Sequence, residues 1–238
     1  MEIQTVMVNG IKVYPFETEE QLIDYVANKP AILVALNAGK LGRSTPELKS
    51  IINDNIGYCD GIGATIALRK KGFKRPTIAG CDIWIKIVDR LVNERSFYFI
   101  GGTHEVIEKV IQRIKKEYPQ INIKGYRNGF IQTDEDKFSL LKDIEEKKPE
   151  VVFVAMGSPK QENLMTDMQK INPYAIYQGL GGSFDIYSGL KERAPLSIRR
   201  MHLEGIYRGL SRLNEKNNRE RFFSDIFFVL RVVLGFVK

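Results

Sequence analysis

The chain has few of the residues that usually carry metal or redox chemistry. Its 238 residues include 2 cysteines, Cys59 and Cys81, and 2 histidines, His104 and His202. Two cysteines argue against a disulfide framework or a cysteine-based metal cluster, and they fit a reducing, cytosolic setting. Two histidines do not make a His-rich metal site. No GxGxxG follows the first apolar strand, which disfavours an NAD-dependent oxidoreductase. A Walker loop and a Ser-His-Asp arrangement are also missing. The first residues, Met1-Glu2-Ile3-Gln4-Thr5, are too polar to suggest a signal peptide. No internal repeat or low-complexity tract breaks the chain.

What is present points to a globular α/β protein. Hydrophobic residues make up 43% and charged residues 27%, as in ordinary folded domains. The length suits one large domain with an appendage. The net charge of +7 is uneven: residues 190–238 hold eleven Lys and Arg against five Asp and Glu, which is +6 of the total. A basic tail implies an anionic partner, whether phosphate, nucleic acid or acidic lipid. Its arginines lack the interleaved aromatics of a single-strand site, so no nucleic acid partner is expected.

Strand-like and helix-like stretches alternate. Strands are expected over 31–36 (AILVAL), 97–100, 121–125, 150–156 and 174–178. Helices are expected over 46–53, 61–71, 81–92, 104–118, 134–147 and 159–170. Apolar runs rich in β-branched residues read as strands buried on both faces. The alternation predicts a Rossmann-like, mostly parallel sheet with helices on both faces, over residues 1–192. Residues 193–238 then form a helical appendage. It reads as helical from Pro195 to about Leu213, breaks over Asn214 to Asn218, and becomes very apolar from Phe222 to Val237. That last stretch is too short for a bilayer span of about 20 apolar residues, and Asp225 and Arg231 interrupt it. Aromatics beside arginines suit a helix lying in a membrane interface, or else one packed on the protein or on another subunit.

Polar groups gather where strands end. Gly157-Ser158-Pro159-Lys160-Gln161-Glu162 follows the run Val151 to Met156. Ser158 is expected to cap the next helix, with Glu162 close to capping-box spacing. A helix N-terminus, a hydroxyl and Lys160 together suit a phosphate. An ordinary β-to-α turn is the plainer reading. Asp60, before Gly61-Ile62-Gly63, is placed as a general base or as a helix cap. Asn37 has two readings as well, a ligand hydrogen bond or an Asx-turn. Asp82 caps a helix or binds a ligand hydroxyl. Gly101-Gly102-Thr103 and Gly179 to Asp185, with Gly182 and Ser183, bring the backbone close to a ligand. Their shared place after strands suggests one crevice.

Together, Val34-Ala35-Leu36-Asn37-Ala38-Gly39-Lys40, Asp60-Gly61-Ile62, Ala79-Gly80-Cys81-Asp82-Ile83-Trp84, Ile100-Gly101-Gly102, Ala155-Met156-Gly157-Ser158-Pro159-Lys160-Gln161-Glu162, Gly181-Gly182-Ser183-Phe184-Asp185 and Lys191-Glu192-Arg193-Ala194-Pro195 resemble the WecG/TagA/CpsF family of bacterial glycosyltransferases. The likeness covers about residues 5–235, and Leu203-Glu204-Gly205-Ile206-Tyr207-Arg208 resembles the start of that family's appendage. The resemblance implies an inverting, metal-independent transfer from a UDP-sugar, with no cofactor. The acceptor it implies is a polyprenyl-diphosphate-linked N-acetylglucosamine at the inner face of the cell membrane. The motifs look closer to the branch that moves N-acetylmannosaminuronic acid than to the one that moves N-acetylmannosamine. Another UDP-hexose such as glucose, or a UDP-sugar-binding module without catalysis, are the alternatives.

Residue by residue, the resemblance implies that Asp60 is the base and that Gln161 lies near the donor. Arg208 is implied to reach the diphosphate, with Arg212, Arg219 and Arg221 as further candidates, and Arg193 is counted with the substrate-binding residues. Many relatives carry Thr where this chain has Ala35, so that hydroxyl has no counterpart here. A homo-oligomer is also implied.

Overall fold

The computed structural model describes residues 3–211, 213, 214 and 216–237. Six strands make one sheet in the order β4-β3-β8-β7-β5-β6. They are β3 (Ala31–Leu36), β4 (Ile56–Cys59), β5 (Ser96–Gly101), β6 (Asn122–Arg127), β7 (Val151–Ala155) and β8 (Ile176–Gly179). The registers of β3 on β8, β8 on β7, β7 on β5 and β5 on β6 are all parallel. Every residue of β3, β4, β5, β7 and β8 is buried, whereas the edge strand β6 alternates between exposed and half-buried. This is the mostly parallel α/β sheet that the apolar runs predict.

A separate hairpin pairs β1 (Val6–Val8) with β2 (Ile11–Val13). Asn9 and Gly10 both have positive φ, 51° and 76°, as a two-residue hairpin turn of this hand requires. Neither this hairpin nor α1 (Glu19–Ala27) is among the elements expected from the sequence, although Asn-Gly is a strong hairpin signal. The remaining helices are α2 (Ala38–Arg43), α3 (Pro46–Asp54), α4 (Ile62–Lys70), α5 (Gly80–Leu91), α6 (His104–Glu117), α7 (Asp134–Lys147), α8 (Lys160–Ile171), α9 (Ser183–Tyr187), α10 (Leu196–Arg200), α11 (Glu204–Leu210) and α12 (Lys216–Val233). Helix α7 has the expected bounds because its start is chemically marked. The Thr133 side chain accepts from the Asp136 N–H and the Asp136 carboxylate accepts from the Thr133 N–H, a reciprocal cap.

The described residues fall into two compact units. One comprises residues 3–22, 35–80 and the described part of 193–237. Here α12 packs on α2 and α4, burying Phe228 and Val232. A β-carbon on Gly42 would come within 3.0 Å of the Phe228 side chain, so glycine there permits the close approach. Arg43 clamps the same helix through Asp225 at 2.6 Å. The tail is less continuous than expected. His202 adopts φ 58°, and the N–H groups of His202 and Leu203 turn back to the carbonyls of Arg199 and Ile198. That closes α10 and separates it from α11.

The second unit comprises residues 23–34 and 81–192. Its core is aromatic. Trp84 on α5 meets Phe153, Phe184 and Tyr187 edge-on, with ring centroids at 5.5, 5.6 and 4.9 Å. This geometry sets the positive ring edge against the negative face of the neighbour. Trp84→Ala is expected to cost about 3–5 kcal/mol, read as a lower urea midpoint at constant slope. An unchanged midpoint would contradict this view of the core.

Candidate active site

In the first unit the site is built from the ends of β3 and β4. Asn37 follows β3 and caps α2, its Oδ1 accepting from the Lys40 N–H at 3.0 Å. The Asx-turn reading therefore describes that oxygen. Lys40 reaches back, and its Nζ donates to the Ala35 carbonyl at 3.0 Å. Asp60 follows β4, its N–H donating to the Leu36 carbonyl at 2.8 Å. It does not cap α4: Gly61 holds the cap position and no side chain closes it. Asp60 is half-buried, and its carboxyl is packed among protein atoms.

Burial pushes the Asp60 carboxyl above its ordinary range, because a low-polarity setting disfavours the charged form. The Arg208 guanidinium, the Lys40 ammonium and the Gly80 N–H oppose that rise, while the Glu204 carboxylate adds to it. Glu204 is itself gripped by Arg193: Nε lies 3.3 Å from both carboxylate oxygens and Nη2 is 3.2 Å from Oε2. Both side chains are largely shielded from solvent, at 18% and 13% exposure. Arg208 lies one turn beyond Glu204 on α11, so the two share a face. Arg212 lies outside the described residues. Neither Lys40 nor Glu204 is picked out from the sequence. Both stand in quoted motifs, and Lys40 lies three positions past Asn37, but their closeness to Asp60 comes from folding.

The Cys59 thiol is no rival nucleophile. Burial pushes it up to about 12, so it stays protonated at neutral pH. Among the described residues, no group of three or more His, Cys, Asp or Glu is placed to hold a metal ion.

The second unit presents the turns after β5, β7 and β8. Gly101 and Gly102 lead into α6, which Thr103 caps by accepting from the Val106 N–H at 3.2 Å. After β7, Ser158 is exposed and does not cap α8. Pro159 is the cap residue, and no side-chain bond closes that end. The expected capping box through Glu162 is likewise absent, because Gln161 does the tying. Its Oε1 accepts from the Gly157 N–H at 3.1 Å and from the Gly181 N–H at 2.9 Å. Its Nε2 donates to Glu162 Oε1 at 3.1 Å. Gln161 is 2% exposed, so one buried amide joins the turn after β7 to the turn after β8. Gly157 and Gly181 have φ of 77° and 58°, which glycine adopts without strain.

Lys160 begins α8 and is exposed. Gly182 is exposed too, whereas the Ser183 hydroxyl is buried and donates to the Leu180 carbonyl at 2.7 Å. Asp185 pairs with Lys191 at 3.2 Å. Asp82 does not cap its helix, since α5 starts earlier, at Gly80, and places Asp82 in the first turn. Backbone N–H groups at the start of α6 and α8, with Lys160, make this end of the unit favourable to anions.

The model of the glycosyl transferase WecG/TagA/CpsF family matches residues 6–237, nearly the whole chain. The chain belongs to this family. Membership makes it a glycosyltransferase of cell-surface polysaccharide synthesis, a class that takes a sugar donor and a lipid-linked acceptor. The WecG/TagA/CpsF match spans both compact units, including the tail helices of the first.

Gln161→Ala leaves two turn N–H groups without their acceptor. It is expected to lower stability by about 1–3 kcal/mol, measured by urea unfolding. An unchanged midpoint would show that the clamp contributes nothing.

Proposed function

We propose that this glycosyltransferase moves an N-acetylmannosamine-type sugar, as the uronic acid or the parent amide, from a UDP-sugar to a polyprenyl-diphosphate-linked N-acetylglucosamine. The observation that carries the reading is the Asp60 carboxyl: it follows a strand end and feels the Arg208 and Lys40 charges, with its proton affinity raised by burial. A base matched to the working pH moves a proton best. In this reading an acceptor hydroxyl gives its proton to Asp60 as its oxygen forms the new bond to the anomeric carbon. The bond from that carbon to the UDP oxygen breaks on the opposite face, and UDP leaves with the electron pair. The configuration inverts. The helix starts at α6 and α8, Lys160 and Arg208 bear the charge that develops on the leaving diphosphate. Asn37, Asp82, Gly102, Gly157, Ser158, Gly182, Ser183 and Asp185 belong to the substrate-binding set in the same reading, with Gln161 holding its turns. The reading calls on no metal.

The reading also gives residues 193–238 a membrane-facing role as an appendage. Among the described residues no helix is long and apolar enough to cross a membrane. Helix α12 has two apolar stripes, however. One, with Phe228 and Val232, is buried. The other, formed by Phe223, Ile226, Phe227, Leu230 and Val233, is 39–63% exposed. Arg219 and Arg231 lie exposed on the same helix. An uncovered apolar stripe with basic neighbours suits an anionic lipid surface, where the catalyst would meet a lipid-linked acceptor.

Asp60→Asn is expected to abolish acceptor-dependent UDP release. Because the Asp60 carboxyl titrates high in the folded protein, its protonated form stabilises the fold at low pH, and this contribution is lost as pH rises through the folded value. The neutral Asn variant should therefore be at least as stable as the parent at neutral pH. Near-normal turnover would remove Asp60 as the base.

Replacing Phe223, Phe227 and Leu230 together by Ser should reduce co-sedimentation with anionic phospholipid vesicles while leaving the fold intact. Unchanged sedimentation would assign that stripe to contacts between copies of the chain.

A further inference from the structure

Two backbone carbonyls at the end of β3 organise the first unit's charged centre. The Leu36 carbonyl receives the Asp60 N–H at 2.8 Å. The preceding carbonyl, Ala35, receives the Lys40 ammonium at 3.0 Å. A β-carbon built on Gly80 would lie 3.2 Å from Ala35 Cβ and 3.6 Å from Asp60 Oδ2, so Ala35 and the carboxylate border the same small volume. Lys40 is half-buried and is fixed at both ends: its N–H by the Asn37 cap and its ammonium by Ala35. Its charge therefore has a set position.

We infer that Lys40 is a positioning residue of this centre, its ammonium anchored on the Ala35 carbonyl as a standing counter-ion to Asp60. The inference rests on the reading of Asp60 as the base. The groups that face Asp60 are Lys40 from α2, Arg208 and Glu204 from α11, and the Gly80 N–H at the start of α5. Tyr58 and Cys59 precede it on its own strand. Arg193 acts only through Glu204. Arg208 is exposed on its short helix, whereas Lys40 is held by backbone at both ends. Lys40 is thus the cation of this centre that the end of β3 holds in place. Losing it leaves burial and Glu204 opposed only by Arg208 and one N–H. The carboxyl would then stay protonated, and idle as a base, to a higher pH.

The test uses the full chain with carboxyl-labelled aspartate, titrated by carbon-13 NMR. The Asp60 signal is assigned by its loss in Asp60→Asn. In Lys40→Gln the Asp60 midpoint should rise by about one pH unit or more, the size expected from losing a nearby opposite charge. Lys40→Arg should bring it back to the parent value. Glu204→Gln should move it downward, which fixes the sign. The acid limb of UDP release should follow the same shifts, with UDP affinity within about twofold of the parent in Lys40→Gln.

An unmoved midpoint in a folded Lys40→Gln chain would overturn the inference. So would a tenfold loss of UDP affinity with no shift, which would make Lys40 a ligand group. If Asp60→Asn turns over normally, the base reading fails whatever the titration shows. If Asp60→Asn is inactive and the midpoint in Lys40→Gln is unmoved, Lys40 alone loses its role.

Discussion

A parallel sheet buried on both faces must satisfy its backbone internally, and here that requirement places the chemistry. Strands β3, β5, β7 and β8 are buried along their length, and few of their side chains are polar, because burying polar groups is costly. Polar and charged residues are driven to the turns at the strand ends. There, carbonyls and N–H groups that have run out of ladder partners bind side chains instead. The Ala35 carbonyl holds the Lys40 ammonium, and the Gly157 and Gly181 N–H groups are held by Gln161, while the Leu36 carbonyl takes the backbone N–H of Asp60 and so fixes where its side chain starts. In both units, side chains thus meet backbone groups left over where the sheet ends.

Asp60 shows how opposing effects are balanced. Burial alone would make it a poor base, because the ionised form would be too costly. Two cations and a backbone N–H offset part of that cost, and Glu204 limits how far they go. Arg193 in turn keeps Glu204 from being a bare buried charge. A carboxyl set in this way resists ionisation more than a surface Asp, while its cations and the Gly80 N–H oppose that resistance.

The tail follows a different rule. Helix α12 is apolar on two stripes, and only one finds a partner within the first unit. The buried stripe sits on α2 and α4, helices that directly follow Asn37 and Asp60 in the chain, with Gly42 and the Arg43–Asp225 pair setting how closely α12 sits.

Much of the fold is legible from local pattern. The apolar runs at 31–36, 97–100 and 150–156 announce buried parallel strands, and the charge excess after residue 190 announces a basic tail. These features depend on neighbours within a few positions, which is why the sequence by itself determined them. It also placed Asp60 at a strand end. Local pattern was less reliable for which atoms of a polar residue are engaged. Ser158 has the form of a cap but is left exposed, while Gln161, three positions on, is buried and closes two turns. The surroundings of Asp60 were decided only by the tertiary structure. Lys40, Gly80, Glu204 and Arg208 approach it from segments 20 to about 150 positions away, and the long-range packing that sets their distances, and with them the strength of each charge on the carboxyl, leaves no periodic trace in the chain.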